Sequence, residues 1–260
     1  MSKYALITGA SSGIGFEMGK IFAGEGFNLI LVARREERLM ILKGELENAH
    51  SVSVHIFAAD LSKADAPDTL FKFCENQDLQ IEVLINNAGI GDYGFFSEAD
   101  WAKTATMIDL NVKSLTHLTH LFLPGMIENG SGKIMNVAST AAFQPGPLMS
   151  VYYATKHYVL AFSEALANEV AEHDITVTAL CPGPTQSEFQ ETANMEKSKL
   201  MDRFSMPSSA EVAKYGFNAL MVNRKRVAIY GVVNKIMANI IKYFPRRWVT
   251  AIVRKIQERE

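Results

Sequence analysis

The sequence predicts an α/β fold in which a doubly wound parallel sheet of about seven strands carries helices on both faces. Short apolar runs of strand length alternate with longer segments of helical periodicity as far as residue 230. Because those segments are long enough for crossover helices, successive strands should run parallel. A glycine-rich segment from Gly9 to Gly15 directly follows the first apolar run, at a place where such sheets bind ligands. A chain of 260 residues has room for one domain of this type.

The predicted elements alternate along the chain. Strands are predicted at residues 4–7, 28–33, 52–57, 83–85, 133–138, 174–179 and 227–230. Helical patterns are predicted at 14–23, 66–75, 101–127 and 152–172, and Ser208 and Glu211 have the spacing of a capping box for a further helix. We expect residues 1–230 to form the ligand-binding and catalytic domain, and residues 231–260 to form an amphipathic, basic extension of that domain.

The glycine-rich turn has the spacing that a pyrophosphate requires. Gly9 suits a tight turn, Gly13 lets the backbone approach a phosphate, and Gly15 lets the helix pack closely on the strand. The N-terminus of the following helix adds unpaired N–H groups and a partial positive charge. A purely structural turn is the alternative, but the position between the first strand and the first helix favours phosphate binding.

A tyrosine and a lysine four residues apart, Tyr152 and Lys156, share one face of a predicted helix. A fixed cation beside a phenol favours the phenolate, so we expect the pKa of Tyr152 to be lowered from about 10 towards neutral pH. Ser139 follows the strand at 133–138 and should aim its hydroxyl at the same place. Tyr153 is a rival acid, because it lies three residues before Lys156.

Together with Asn86-Asn87-Ala88-Gly89 after the fourth strand, these motifs resemble the short-chain dehydrogenase/reductase family in its compact single-domain form. The resemblance covers about residues 3–220 in order and spacing, and the tail resembles those of bacterial and archaeal members of uncertain substrate. It implies a Rossmann-type fold, a nicotinamide cofactor and interconversion of a carbonyl and an alcohol. The catalytic residues that it implies are Asn111, Ser139, Tyr152 and Lys156.

The end of the second strand predicts the type of cofactor. Members that bind NAD place an acidic residue there to accept from the ribose hydroxyls, whereas this chain has Ala33 followed by Arg34 and Arg35. A guanidinium can hold a 2′-phosphate, and Ser12 can add a hydroxyl donor. The alternative is that the arginines are solvated or pair with the glutamates that follow them. The missing carboxylate favours NADP(H) over NAD(H).

The resemblance also implies the remaining cofactor contacts. Asp60 would accept from the adenine amino group, and a Pro-Gly loop would fold over the nicotinamide. Independently of the resemblance, the loop at 188–207 is rich in Met and Phe, which either form a lid over an apolar ligand or pack on the core. The complete predicted set is Gly9, Ser11, Ser12, Gly13, Ile14, Gly15, Arg34, Arg35, Asp60, Leu61, Asn87, Ala88, Gly89, Tyr152, Lys156, Pro182, Gly183, Thr185 and Ser187.

The predicted reaction is NADP(H)-dependent interconversion of a carbonyl and a secondary alcohol, with an apolar or lipid-like substrate such as a ketoacyl or steroid-like compound. Ser139 would bond the carbonyl oxygen and Tyr152 would pass the proton, while Asn111 would support resupply of that proton through water. A non-catalytic NADP-binding sensor or scaffold of the same fold is the alternative. A homodimer or homotetramer is expected, because the family pairs its long helices across a two-fold axis.

Composition narrows the expected environment. Cys74 and Cys181 are the only cysteines, which favours a reducing compartment and argues against a cysteine metal site, and we expect no bound metal. With the first strand predicted at residue 4, a signal peptide has no room, and no apolar run reaches the length of a membrane span. Neither motif nor composition indicates nucleic-acid binding. We expect a cytoplasmic protein.

The C-terminal region carries a charge that the rest of the chain opposes. From Arg224 onwards there are ten basic and two acidic residues, a net charge of +8, which leaves −10 for the rest of a chain whose total is −2. Apolar residues recur there at helical spacing. This tail could lie on an anionic membrane surface, bind an anionic carrier or substrate handle, or simply pack over the substrate pocket with its charges in water.

Overall fold

The computed structural model describes residues 3–195, 206–222 and 224–258. These residues form one parallel sheet of seven strands in the order β3-β2-β1-β4-β5-β6-β7. The strands are β1 (Tyr4–Thr8), β2 (Asn28–Ala33), β3 (Val54–Ala58), β4 (Ile81–Asn86), β5 (Gly132–Val137), β6 (Ile175–Cys181) and β7 (Val227–Ile229). The predicted Rossmann-type α/β fold is confirmed.

Helices follow the strands in turn and cover both faces of the sheet. They are α1 (Gly13–Gly24), α2 (Glu36–Ala49), α3 (Ala66–Asn76), α4 (Trp101–Ile108), α5 (Leu115–Glu128), α6 (Ser150–Glu169), α7 (Phe189–Thr192), α8 (Ser209–Phe217), α9 (Val232–Ile240) and α10 (Arg246–Gln257). The sequence did not predict α2. The capping box before α8 is confirmed, because the Ser208 and Glu211 side chains each bond the other's backbone N–H.

Alternation along the central strands divides the core into two layers. Ile7 and Leu29 belong to the layer under α1, α2 and α8, where Phe22 is one of the largest fully buried side chains. Leu6 and Ile30, their neighbours in sequence, belong to the layer under α3, α5 and α6. Burial on both faces explains why these strands read as continuous apolar runs.

The winding of the sheet reverses at β1. This strand pairs with β2 on one side, Ala5 opposite Leu29, and with β4 on the other, Ala5 opposite Val83. The crossover after β1 leads to one side of the sheet and the crossover after β3 leads back to the other. A crevice therefore opens at the carboxyl ends of β1 and β4, where open α/β sheets bind ligands.

The predicted helix at 101–127 is interrupted. A π-helical turn, Asp109–Ser114, separates α4 from α5, and Asn111 lies in it with 1 % of its surface exposed. The alternative of a solvent-facing asparagine is therefore wrong. The helix predicted at 152–172 begins at Ser150 and ends at Glu169, while β6 runs two residues further than predicted, to Cys181.

The lid predicted at 188–207 can be described only at its ends. Residues 196–205 lie outside the described part of the chain, whereas α7 and Met195 lie within it. The tail forms two helices, α9 and α10, joined by a 3₁₀ turn at Ile241–Tyr243. No helix in the described ranges is long and apolar enough to cross a bilayer.

Candidate active site

A cavity of about 950 Å³ opens at the carboxyl ends of the strands. The glycine turn and the ends of β2 and β4 line one side of it, and the start of α6 lies at its centre. The other side is lined by Met149, Phe189 and the apolar faces of α9 and α10. The cavity thus has a polar end with exposed backbone and an apolar end made of side chains.

Hydrogen bonds between β1 and β4 fix the glycine turn. The Thr8 hydroxyl accepts from the backbone N–H groups of Asn87 and Ala88, at 3.0 Å each, and donates to the Ile85 carbonyl. The Asn87 amide donates to the Thr8 carbonyl at 2.9 Å. Gly9 has a φ of +68°, and a Cβ there would lie 2.7 Å from Asn87 Nδ2. Only glycine fits this turn without displacing Asn87.

Ser139, Tyr152 and Lys156 come together at the centre of the cavity. Ser139 caps the short 3₁₀ helix Thr140–Phe143, accepts from the Ala141 N–H at 3.1 Å and hydrogen-bonds the Tyr152 phenol. Lys156 is buried, donates to the Val137 carbonyl at 2.8 Å and lies 5.7 Å from the centre of the Tyr152 ring. The structure therefore brings together a hydroxyl, a phenol and an ammonium that the sequence separates by up to seventeen residues.

The predicted direction of the Tyr152 pKa shift is wrong for this geometry. Burial raises the pKa of Tyr152 to about 12, and the hydrogen bond from Ser139 only partly offsets that effect. Burial also lowers the pKa of Lys156 to about 8. Spacing on a helix indicated the partner of the phenol, but it could not show that desolvation of both groups outweighs their attraction.

Asn111 holds the chain that follows β4. Its Oδ1 accepts from the Ile90 N–H at 3.0 Å, and its Nδ2 donates to the Ile90 carbonyl at 2.8 Å and to the Thr155 hydroxyl at 3.2 Å. A Cβ on Gly89 would lie 3.2 Å from Asn111 Oδ1 and 3.4 Å from Lys156 Nζ. Asn111 and Lys156 therefore flank Gly89, one behind the cavity wall and one in it.

A cluster of cations lies beside the glycine turn. The Arg35 guanidinium donates to the hydroxyls of Ser11 and Ser12, at 3.0 Å and 2.9 Å, and to the Glu188 carboxylate at 2.7 Å. Arg38 also donates to Glu188. Hydrogen bonds from Arg38 and Arg35 lower the pKa of Glu188 to about 2, so this carboxylate is an anion at neutral pH.

Most of the predicted cofactor residues line the cavity, among them Ile14, Arg34, Asp60, Leu61, Ala88, Gly89, Gly183, Thr185 and Ser187. Hydrogen bonds from Ser62 and the charge of Arg34 lower the pKa of Asp60 against its burial, so this group is an acceptor only. Asn111, Gly15 and Pro182 lie behind the wall, where Pro182 accepts from the Thr140 N–H at 2.8 Å.

Sequence reasoning missed Arg38, Glu188, Gln257 and Gly146. Arg38 lies one helical turn after Arg35, a spacing that could have indicated a second cation on the same face. Gln257 continues the stripe of Val249 and Val253 at four-residue intervals, so it is a polar residue on an apolar face. No comparable signal indicates Gly146 or Glu188.

Comparison with known proteins agrees with this geometry. Residues 3–198 match the short chain dehydrogenase family. The chain belongs to that family. Its members are oxidoreductases that act on CH–OH groups. The family resemblance seen in the motifs is thereby confirmed, whereas that of the C-terminal tail stays a prediction.

Individual members are similar over most of the chain. A sulfoacetaldehyde reductase of Chromohalobacter salexigens is 38% identical over 194 residues, 73% of this chain and 75% of that protein. A very-long-chain 3-oxoacyl-CoA reductase of Laccaria bicolor is 34% identical over 68% of this chain and 53% of its own length. A short-chain dehydrogenase from Sphingobium yanoikuyae, solved in complex with NADPH, superposes with a TM-score of 0.82 at 29% identity, covering 95% and 97% of the two chains.

Proposed function

We propose that this short-chain dehydrogenase reduces an apolar ketone or aldehyde with NADPH, or catalyses the reverse oxidation. The observation that carries the proposal is the cluster of Ser139, Tyr152 and Lys156 where the polar and apolar ends of one cavity meet. A non-catalytic sensor would need the polar end alone, with no phenol and ammonium at its boundary.

The residues at the polar end fit a nicotinamide dinucleotide phosphate. The glycine turn exposes backbone N–H groups at the start of α1, which suits the pyrophosphate. Arg35 donates to the Ser11 and Ser12 hydroxyls beside the glycine turn, and it also donates, as Arg38 does, to an anion, the Glu188 carboxylate. A 2′-phosphate would use the same donors, with Arg34 and Arg38 close by, and this supports NADP(H) over NAD(H).

Each catalytic group has a distinct task. The chemistry that the cofactor supplies when bound is hydride donation to the carbonyl carbon. Ser139 and Tyr152 donate to the carbonyl oxygen, and Tyr152 transfers its proton there as negative charge develops. The charge of Lys156 stabilises the resulting phenolate. Asn111 holds the Ile90 backbone in place and supports the water path that returns the proton.

Several features support an apolar substrate. Tyr93, Met149, Met195 and Phe189 pack around the apolar end together with Val249 and Val253 of α10. A substrate that meets this wall should be mostly apolar there, because polar groups would lose their hydrogen bonds to water without gaining partners. The Laccaria relative, named for a very-long-chain acyl substrate, is consistent with this class.

The test is NADPH consumption with ketones that differ in apolar length. Purified protein is mixed with NADPH and a series from acetone to long 2-alkanones, with sulfoacetaldehyde as the small polar comparison. We expect kcat/KM to rise with chain length, by up to about 0.8 kcal/mol, or fourfold, per methylene. Exclusive use of sulfoacetaldehyde would refute the apolar substrate class, and no turnover of any carbonyl would refute the reductase.

We further propose that the tail surface contacts an anionic membrane. This surface is defined by the exposed large apolar residues of the tail, namely Val232, Val233, Ile236, Met237, Ile240, Tyr243, Phe244, Trp248 and Ile252. Exposed Lys235, Lys242, Arg246, Arg247 and Lys255 surround it. Basic and apolar groups together favour the interface of an anionic bilayer. Val233, Met237, Ile240, Phe244 and Ile252 of this surface also line the cavity, so the tail surface and the apolar end of the cavity are continuous.

Sedimentation with vesicles tests the tail surface. Protein should pellet with anionic vesicles at low salt and be released at high salt. Trp248→Ala should reduce binding, whereas Trp101→Ala, which removes a still more exposed tryptophan on α4, should not. Equal loss in both variants, or no pelleting of the unmodified protein, would remove this proposal.

We also propose that the protein is a homodimer or homotetramer. A shallow groove of about 400 Å³ lies between α4, the π-helical turn and α6, lined by Phe96, Ile108, Val112, Val151 and Ala154. A second copy of the same helices would cover these exposed apolar groups. Sedimentation velocity at micromolar concentration should show an oligomer, and Ala154→Glu should dissociate it.

A further inference from the structure

The last described helix buries a glutamine in an apolar stripe. Val249, Val253 and Gln257 follow one another at four-residue intervals on α10, and all three are buried. Gln257 is 1 % exposed, although most of the residues around it on this helix are solvated or half-buried. An amide costs free energy when it is buried without partners, so its surroundings should explain it.

Two tyrosines hold Gln257 in place. Its Nε2 donates to the Tyr153 hydroxyl, and its main-chain carbonyl accepts from the Tyr93 hydroxyl. Both tyrosines are buried in the same apolar cluster as Val249 and Val253. The end of α10 is therefore anchored to α6 and to the segment after β4 by polar contacts inside an apolar wall.

One polar atom of this amide is left without a partner. No donor among the described residues lies within hydrogen-bond distance of Gln257 Oε1, although the atom is buried. Gln257 also lines the cavity, and its buried amide lies at the boundary of the space that a substrate would fill. A ligand that brings a donor to this boundary would satisfy the acceptor.

The position of the amide relative to the reacting groups is fixed. Tyr153 packs against Gly146, where a Cβ would overlap the phenol ring. Its ring centre lies 6.1 Å from that of Tyr152, at an interplanar angle of 75°. The Gln257 amide is thus held one aromatic ring away from the proposed proton donor.

We propose that Gln257 Oε1 accepts a hydrogen bond from a second polar group of the substrate, a hydroxyl or an N–H that lies apart from the reacting carbonyl. The substrate is then a ketone or aldehyde with an apolar body and a distal donor. This inference rests on the proposed function in one respect, that the cavity is the substrate site. It makes Gln257 a residue that determines specificity and not a catalytic residue.

Binding measurements test the inference without relying on turnover. The probes are 2-alkanones of increasing length and their terminal hydroxyl derivatives, titrated by calorimetry into the full chain with NADP⁺ present. We expect one chain length at which the hydroxyl ketone binds at least about fivefold more tightly than its plain counterpart, the effect of one buried hydrogen bond. Equal affinities at every length would overturn the inference.

Two substitutions assign the effect to Gln257. Gln257→Met has similar length and no acceptor, and it should abolish the hydroxyl preference. Gln257→Glu keeps an acceptor in the same place and should retain or increase the preference. Lys255→Gln, an exposed change on the same helix, is the control and should leave it unchanged.

The outcomes separate this inference from the proposed function. A preference that persists in Gln257→Met, or that disappears in Gln257→Glu, would show that water or another group satisfies the donor and would overturn the assignment. If Gln257→Met does not fold, the hydroxyl preference of Gln257→Glu is compared with that of the unmodified protein, and its loss in Gln257→Glu still overturns the assignment. Hydroxyl-dependent binding without NADPH turnover would refute the reductase and leave the Gln257 site standing. NADPH turnover of plain and hydroxyl ketones without tighter binding of the hydroxyl ketones would refute the Gln257 site and leave the reductase standing.

Discussion

The two ends of the cavity are built in opposite ways. The polar end consists of strand ends and a glycine turn joined by buried hydrogen bonds, with Thr8, Gly9 and Asn87 at its centre. The apolar end consists of side chains from α6, α7, α9 and α10, and the tail helices α9 and α10 are far from α6 in sequence. The first depends on backbone conformation and the second on side-chain volume, so the two ends should respond differently to substitution.

The largest effect is expected at Tyr152, where the two ends meet. Tyr152→Phe should lower kcat by about 10²–10⁴-fold, because the transferable proton is lost while the ring still packs. The affinity for NADPH should change little, since the glycine turn and Arg35 are untouched. Steady-state kinetics and a fluorescence titration with NADPH measure the two quantities.

Tyr153→Phe is the matched control for that substitution. It removes the Gln257 contact and not the Ser139 contact, so kcat should fall much less. If Tyr153→Phe were the inactive variant, the roles of the two tyrosines would have to be exchanged.

At the polar end, Arg35→Ala should weaken NADPH binding by roughly tenfold or more, because a charge-assisted hydrogen bond contributes about 1.5–3 kcal/mol. NADH, which has no 2′-phosphate, should be affected much less. Arg34→Ala is the neighbouring control and should have a smaller effect, since Arg35 is the residue that bonds Ser11 and Ser12. A preference of the unmodified protein for NADH would contradict this prediction.

The two ends are coupled through Lys156, which gives a pH dependence of defined sign. Its pKa of about 8 means that kcat/KM for reduction should fall as pH rises through 8, by at most tenfold per pH unit, because the charge that stabilises the phenolate is lost. Burial raises the pKa of the neighbouring Cys181 thiol to about 12, so that group stays neutral throughout.

The free energy of unfolding should rise over the pH range in which kcat/KM falls. Between pH 8 and the ordinary lysine value of 10.5, the folded state has lost the Lys156 proton and the unfolded state has kept it, so the free energy of unfolding rises with pH. Urea unfolding at several pH values below 10 measures this rise in the free energy of unfolding.

The variant Lys156→Arg tests the activity prediction, because its side chain stays charged and the fall in kcat/KM above pH 8 should disappear. If kcat/KM of that variant fell with pH as in the unmodified protein, the fall could not be assigned to Lys156.

The smallest effect is expected at the apolar end. Val253→Ala removes buried methyl groups and should lower the free energy of unfolding by about 1–2 kcal/mol. The affinity for NADPH should stay the same, while the ketone length that gives the highest kcat/KM should increase as the wall recedes. A change in NADPH affinity would show that the two ends are not separable in this way.

Much of the polar end could be predicted from the sequence because its determinants are local. The strands, the glycine turn and the spacing of Ser139, Tyr152 and Lys156 all follow from short-range pattern. The missed features depend on contacts between distant segments. Glu188 meets Arg35 across 153 residues, and Gln257 meets Tyr153 across 104, and no local periodicity encodes either pairing. The pKa of Tyr152 was mispredicted for a related reason, since burial is a property of the assembled fold.

The order of the tail in the chain has a consequence for how the protein is made. All seven strands precede Val232, so a ribosome has completed every strand before it adds α9 and α10. The glycine turn and the sheet have all their hydrogen-bonding partners at that stage, whereas Tyr153 and Tyr93 still lack theirs in Gln257. The part of the cavity wall that α9 and α10 form is therefore synthesised after the whole sheet. We expect that exchange of residues 232–257 between relatives would change this wall without altering any strand.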